Sequence, residues 1–149
     1  MARMRGGENV TRVLERIADR VTRPATLRVG FLEGATYPDG KPVAMIAAIQ
    51  EFGAPRANIP PRPFFRNMIA KKSKEWPRAV ADLLVQNDYD VARTLDQAGF
   101  AIEGQLRQSI QQTDAPPLAQ STIDRKGHSK PLVDTGHMLN SVDHEVVRN

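Results

Sequence analysis

Apolar side chains recur at helical spacing near the start of the chain. Between Glu8 and Thr22 they fall on one side of a helical wheel, and the arginines of the segment fall on the other. The apolar positions are Val10, Val13, Leu14, Ile17, Ala18 and Val21. This pattern is typical of an amphipathic helix, which we expect to end before Pro24.

The strongest helical pattern lies later, between residues 91 and 112. Its apolar positions are Val91, Leu95, Ala98, Ile102, Leu106 and Ile110. Either Asp88 or Asp90 is placed to cap this helix. Gly99 and Gly104 interrupt the stripe, each weakening the helix by about 1 kcal/mol relative to alanine. We expect another element to approach the helix closely at these two glycines.

Two segments alternate between apolar and polar side chains. Residues 26–33 and 142–148 show this period of two, which predicts two strands with one buried side each. Between them, residues 43–52 form an apolar stretch that follows Pro42 and is closed by Gly53. Its ends are typical of a helix, and its composition requires burial on most sides.

Shorter helical segments are expected over residues 64–74, 77–85, 121–126 and 137–141, and residues 54–63 contain four of the eleven prolines. Because helix outweighs strand, the sequence predicts an α+β fold. We expect a small antiparallel sheet packed with several helices, one of them long, and an extended proline-rich loop. The length of 149 residues suits one domain over residues 1–149, with an N-terminal helix in 1–25 and an α+β body in 27–148.

The composition excludes several classes of protein. The chain contains no cysteine, so a disulfide scaffold, a thiolate zinc site and a cysteine nucleophile are excluded. Its longest apolar run is too short to span a bilayer, and its N-terminus lacks the apolar core of a secretory signal. We therefore expect a protein that assembles inside a cell without a membrane partner.

Charge is distributed in blocks along the chain. The net charge of +4 resolves into +4 over residues 1–28, −2 over 29–53, +6 over 54–78, −4 over 79–115 and zero over 116–149. A basic protein can bind nucleic acid. Segregated blocks fit equally well a subunit whose faces meet oppositely charged protein surfaces.

Candidate catalytic and metal-binding residues are few. The three histidines are nine and seven residues apart, which is not the spacing of a helical pair of metal ligands. Asp134 and His137 could form a base with its orienting partner, but a turn cap and a surface imidazole explain them better. Asp143 and Glu145 point away from His144 on a strand, so a convergent ion site is not expected. We expect no enzymatic activity and no cofactor.

The segment from residue 54 to residue 78 is the strongest electrostatic feature. Phe64, Phe65 and Trp76 interleave its basic residues, which are Arg56, Arg62, Arg66, Lys71, Lys72, Lys74 and Arg78. The aromatic residues could belong to the core beneath a solvated basic face. Alternatively the segment could dock a protein partner, or stack on bases and contact phosphates.

Two stretches carry a resemblance to a known family. One contains Ile-Gln-Glu-Phe-Gly-Ala at residues 49–54 and Ile-Pro-Pro-Arg-Pro-Phe-Phe-Arg at residues 59–66. The other contains Ala-Pro-Pro-Leu-Ala-Gln-Ser-Thr-Ile-Asp-Arg-Lys-Gly at residues 115–127 and Lys-Pro-Leu-Val-Asp-Thr-Gly-His-Met-Leu-Asn-Ser-Val at residues 130–142. In content and order this resembles the neck or tail-completion proteins of tailed bacteriophages, also labelled minor tail or virion-morphogenesis proteins. The resemblance covers about residues 27–145.

The resemblance implies a structural virion protein of the head–tail junction. It implies a homo-oligomeric ring in the neck or tail, assembled in the host cytoplasm. The ring would join a head connector or adaptor protein to the tail tube or tail terminator, with DNA only as passing cargo. A tail-terminator-like role at the same junction and a DNA-binding accessory role for residues 54–78 remain alternatives.

The expected interface residues are those of the two motifs. They are Glu51, Phe52, Pro61, Arg62, Phe64 and Arg66 in the first, and Leu132, Asp134, Thr135 and Gly136 in the second. We expect Phe52 and Phe64 to act as packing anchors and Arg62 and Arg66 as charged contacts. The turn from Asp134 to Gly136 would lead into the last strand.

Overall fold

A computed structural model of the protein describes residues 6–118, 120–126 and 136–149. Within these residues the chain forms seven α-helices and two strands. In order they are α1 (Gly7–Val21), β1 (Ala25–Phe31), α2 (Val43–Phe52), α3 (Phe64–Lys72), α4 (Trp76–Gln86), α5 (Val91–Gln112), α6 (Gln120–Lys126), α7 (His137–Asn140) and β2 (Val142–Arg148). A short 3-10 turn covers Pro55–Ala57. The fold is α+β, as the sequence predicts.

The two strands form an antiparallel pair although they lie near opposite ends of the chain. Ala25 pairs with Arg148, and Phe31 pairs with Val142. The alternation in both strands places one side towards α5, which packs across the sheet. On the other side Arg28 forms a cross-strand ion pair with Glu145 at 3.2 Å. The predicted strands and their period of two are therefore confirmed.

The core lies where α2, α3 and α5 meet the end of the sheet. Its buried apolar members are Val43, Ala47, Phe64, Met68, Leu106, Ile110, Met138 and Val142. Burial of each large member contributes about 1.5–3 kcal/mol relative to exposure. Phe31 adds an edge-on contact to Phe64, with ring centroids 6.2 Å apart. This core fixes α2 and α3 side by side, and it thereby positions the first motif.

The long helix α5 begins and ends where the apolar pattern predicts. The carboxylate of Asp90 caps it by accepting a hydrogen bond from the Arg93 backbone N–H at 3.1 Å. The expectation for its glycines is half right. A Cβ at Gly99 would overlap the ring of His144, whereas a Cβ at Gly104 would meet nothing within 4 Å. Only Gly99 therefore marks a close approach.

Helix α1 stands apart from this core. None of its residues is buried, and its ion pairs run from Arg16 and Arg20 to Asp88, at 3.8 and 2.9 Å. Asp88 lies in the turn between α4 and α5. An open cleft of about 430 Å³ lies between the last turn of α1 and the start of α5. The helix is thus held near its C-terminal end.

Among the described helices, none has the length and apolar composition needed to cross a membrane.

Candidate interaction surface

The first motif builds a clamp between α2 and α3. Residue Glu51 is only 5% exposed, and its carboxylate points at the first turn of α3. Its Oε2 accepts a hydrogen bond from the Phe65 N–H at 2.9 Å, and its Oε1 accepts from the Arg66 N–H at 3.1 Å. The residue before α3 is Pro63, which makes no side-chain cap. Glu51 therefore supplies from α2 the acceptors and negative charge that a helix N-terminus requires.

Arg66 completes this clamp and reaches the surface. Its Nε donates to Glu51 Oε1 at 2.8 Å, and its guanidinium lies over the Phe52 ring, 4.9 Å from the centroid. The Arg66 side chain is half exposed, and Phe52 is 64% exposed. A cation over an aromatic face is favourable by about 0.5–1 kcal/mol at exposed sites. The exposed Phe52 ring is thus held in a defined position.

Gly53 allows the proline-rich loop to fold back onto the end of α2. Its φ of 74° is in the left-handed region, and a Cβ there would lie 2.8 Å from the Ile59 carbonyl oxygen and from the Pro61 nitrogen. The Arg62 N–H then donates to the Gln50 carbonyl oxygen at 2.7 Å. Backbone contacts therefore close the loop and set the start of α3.

The structure corrects the expected role of Arg62. The residue is only 4% exposed, so it is not a charged surface contact. Its Nε donates to the Pro116 carbonyl oxygen at 3.0 Å, and burial lowers the pKa of its guanidinium. Arg62 thus ties the proline-rich loop to the segment after α5.

The other predicted interface residues divide into three groups. Glu51 and Phe64 are buried, so their side chains act within the subunit. Phe52, Pro61 and Arg66 are exposed and stay candidate contacts. In the second motif, Gly136 precedes α7 with a φ of 71°. Leu132, Asp134 and Thr135 lie outside the described residues, as does the predicted cap of α7 by Asp134 or Thr135.

The basic segment keeps its charge at the surface but not its aromatic rings. Phe64 is buried, Phe65 packs beside Gly30, and the Trp76 indole donates to Gln105 Oε1 at 2.8 Å. These rings are committed to the fold and are not open platforms for bases. The exposed basic side chains of the segment are Arg56, Arg66, Lys71, Lys74 and Arg78. Of the whole segment, only Arg66 forms an ion pair with a described carboxylate.

A polar network that sequence reasoning missed lies between α5 and β2. The His144 side chain is 5% exposed and packs over Gly99. Its Nδ1 makes a short hydrogen bond with Glu103 Oε1, and its Nε2 lies 3.0 Å from Asp96 Oδ1. Arg107 balances Glu103, with its Nη2 2.8 Å from Oε2. Asp96, Gly99 and Glu103 follow helical spacing, which is the signal that could have predicted a polar partner on this face.

The surroundings of His144 favour its protonated form. Burial disfavours the charged ring, but the hydrogen bonds and charges of Glu103 and Asp96 outweigh it and raise the pKa of His144 above 6.5. Glu103, Asp143 and His144 also bring ligand atoms within 4.8 Å of one another. A metal needs an unprotonated ring nitrogen, whereas both nitrogens here face carboxylates. We therefore interpret the cluster as a structural ion-pair network.

Two helices expose apolar faces. On α1 the exposed large residues are Val10, Val13, Leu14 and Val21, with Leu14 60% exposed. On α2 the exposed face contains Ala44, Met45, Ala48 and Phe52. The sequence predicts that residues 43–52 need burial on most sides. In the structure α2 is buried only on the side that faces the core. Contiguous exposed apolar surface of this kind marks interaction sites in soluble proteins.

Comparison of this chain with protein-family models, with curated proteins and with solved structures finds no match in any of the three.

Proposed function

We propose that this chain is a non-enzymatic structural subunit of the head–tail junction of a tailed bacteriophage, where it completes the neck or the tail as a homo-oligomeric ring. The observation that carries the proposal is the pair of exposed apolar faces on α1 and α2. A subunit that acts by docking needs such faces, and the core of this chain leaves both uncovered.

The clamp supports the same proposal. The motif that resembles the phage proteins is also the one whose residues fix α2 against α3 through Glu51 and Arg66. A preorganised surface loses little entropy when it docks, and this favours assembly. The clamp presents Phe52 beside Arg66, an aromatic and an arginine, which are the residue types enriched at interface centres.

The proposed partners are a head connector or adaptor protein on one side and a tail tube or tail terminator protein on the other. The chain would be part of the virion after assembly in the host cytoplasm. Identical subunits that meet through two different faces form a closed ring when the rotations from each subunit to the next add up to a full turn. DNA would pass through such a ring as cargo.

Two alternatives compete with this proposal. A tail-terminator-like role at the same junction uses the same surfaces and differs only in the neighbouring protein. A DNA-binding accessory role is favoured by the exposed basic side chains on α3 and α4. The buried or packed aromatic rings of the segment count against base stacking. Such binding would rest on phosphates alone and would weaken steeply with salt.

The test is deletion of the gene from a phage that encodes the chain. We expect DNA-filled heads and finished tails that remain separate in electron micrographs, and joined particles when the wild-type chain is supplied in trans. Joined, infectious particles without the chain would overturn the junction role. Heads that remain empty would instead favour a role in handling DNA.

A further inference from the structure

We propose that a basic turn between α3 and α4 binds the phosphate backbone of duplex DNA without reading its sequence. The basic turn consists of Lys71, Lys72, Lys74 and Arg78. This contact goes beyond the proposed function, in which DNA is only cargo, because it gives the subunit a surface that touches the DNA. It does not depend on how the chain is positioned in a phage particle.

Residues 71–78 concentrate positive charge in a short stretch of the surface. They contain four basic residues and one carboxylate, that of Glu75, which gives a net charge of +3. Three of the basic residues are exposed, and Lys72 is half-buried. None of the four forms an ion pair with a described carboxylate, whereas basic residues on α1, β1 and α5 do. The charge of the basic turn is therefore left uncompensated by the described part of the subunit.

The ends of the two helices do not account for all of this charge. Lys71 and Lys72 lie in the last turn of α3, where cations offset the negative end of the helix dipole. Arg78 lies in the first turn of α4, where a cation is unfavourable, and that turn contains no acidic residue. Arg78 thus opposes the dipole of its own helix, and an anion outside the subunit would compensate it.

Uncharged hydrogen-bonding side chains lie beside the basic turn. Lys71 and Lys72 line a cleft of about 210 Å³ between α3 and α5. The one carboxylate among its described lining residues is that of Asp114, which is exposed and pairs with neither lysine. Lysines and side-chain amides commonly contact the phosphate and sugar oxygens of nucleic acids. The amides that line the cleft are those of Asn67, Gln105, Gln108 and Gln112.

The composition of this surface favours DNA over an acidic protein as the partner. Lysine is depleted at protein–protein interfaces, whereas three of the four cations here are lysines. The rings of Phe64, Phe65 and Trp76 are packed within the subunit, so they offer neither an anchor for a protein nor a platform for bases. Contacts to phosphates remain, and these carry no sequence information.

Salt-dependent DNA binding tests the proposal on the purified full chain. A fluorescein-labelled duplex of mixed sequence is titrated with the chain, and its anisotropy is measured between about 50 and 200 mM salt. Each phosphate contact contributes about −0.9 to the slope of log K against log salt. The triple variant Lys71→Gln, Lys74→Gln and Arg78→Gln should therefore have a slope shallower by about 2.7, and its binding should be weaker by about tenfold or more at the lower salt.

A matched control removes the same amount of charge elsewhere. Arg12, Arg23 and Arg93 are exposed, and none forms an ion pair with a described carboxylate. The triple variant Arg12→Gln, Arg23→Gln and Arg93→Gln should keep the wild-type slope to within about one contact. If the first triple variant does not fold, Lys74→Gln alone, which lies outside both helices, should make the slope shallower by about 0.9.

Four results would overturn the proposal. Two concern the chain itself, and they are no binding by the wild type at the lower salt and equal slopes for the two triple variants. Displacement of the labelled DNA by polyglutamate as readily as by unlabelled duplex would assign the surface to an acidic protein. Displacement by inorganic phosphate at the same phosphate concentration would assign it to a free phosphate.

The outcome is separable from that of the gene-deletion test. Salt-dependent binding through the basic turn, together with joined particles after deletion, would leave the DNA contact standing and refute the junction role. Separate heads and tails, together with equal slopes for the two triple variants, would do the reverse.

Discussion

Glu51 shows how one carboxylate organises the motif on which the resemblance rests. It serves two backbone donors of α3 and the Arg66 side chain at once, while being nearly excluded from solvent. From the sequence alone the glutamate looks like a surface residue at the end of an apolar helix. Its target lies 14 and 15 residues away, across a proline-rich loop whose path only the fold determines.

Loss of this carboxylate should destabilise the subunit. We expect Glu51→Ala to lower the free energy of unfolding by about 2–3 kcal/mol, because two helix N-terminal donors and Arg66 lose their acceptor. Glu51→Gln keeps one acceptor oxygen and should lose about half as much. Urea denaturation of both variants measures the difference. Equal stability of Glu51→Ala and the wild type would refute the clamp.

His144 makes stability depend on pH through a raised pKa in the folded state. The stabilisation is fully present below the unfolded value near 6.5 and is lost as the pH rises through the folded pKa. We therefore expect the free energy of unfolding to fall as the pH is raised from about 6.5 through that value. The charged groups near the ring are Asp96 and Glu103 on α5 and Asp143 on β2, and Arg107 pairs with Glu103 behind them.

The substitution His144→Gln should remove this part of the pH dependence. His137→Gln is the control, because no described carboxylate lies within ion-pair distance of the His137 ring, which contacts the Thr36 carbonyl oxygen. Denaturation curves between pH 5 and 9 compare the three proteins. A wild type and His144→Gln variant with the same pH slope would contradict the assignment.

At the scale of elements, periodicity predicts most of the fold. The stripe of α5, the alternation of both strands and the ends of α2 follow from spacing and from Pro or Gly at the boundaries. What spacing leaves open is which faces meet. Arg62 and Glu51 are buried despite their charge because the loop folds back over them. His144 forms its hydrogen bond with Glu103, a residue 41 positions earlier in the chain.

Alanine substitutions at the two glycines of α5 should change the stability of the protein in opposite directions. Gly99→Ala should destabilise the protein by at least about 1 kcal/mol, because a methyl group there displaces the His144 ring from its carboxylates. Gly104→Ala should stabilise it by up to about 1 kcal/mol, since the position is exposed and alanine is the better helix former. Thermal unfolding of the two variants gives the signs. The same sign for both would contradict the packing of β2 on α5.

At the scale of the whole molecule, the exposed apolar faces of α1 and α2 are the feature that packing within one subunit leaves without a role. The sequence already indicates that residues 43–52 need more burial than one small subunit provides, and α2 keeps an apolar face towards solvent. The blocks of charge along the chain also correspond to exposed side chains on particular helices. The basic segment carries exposed side chains on α3 and α4, while Glu8, Glu15 and Asp19 of α1 form no ion pair with a described basic residue.

The measurement that tests the proposed ring most directly is native mass, taken on the purified chain and on the junction released from phage particles. The subunit has a mass of 16.5 kDa. We predict one closed species of several copies in the released junction, and its loss in particles carrying Leu14→Glu, which leaves a folded subunit because Leu14 is exposed. A mass of 16.5 kDa in both samples, or absence of the chain from the particle, would contradict the account.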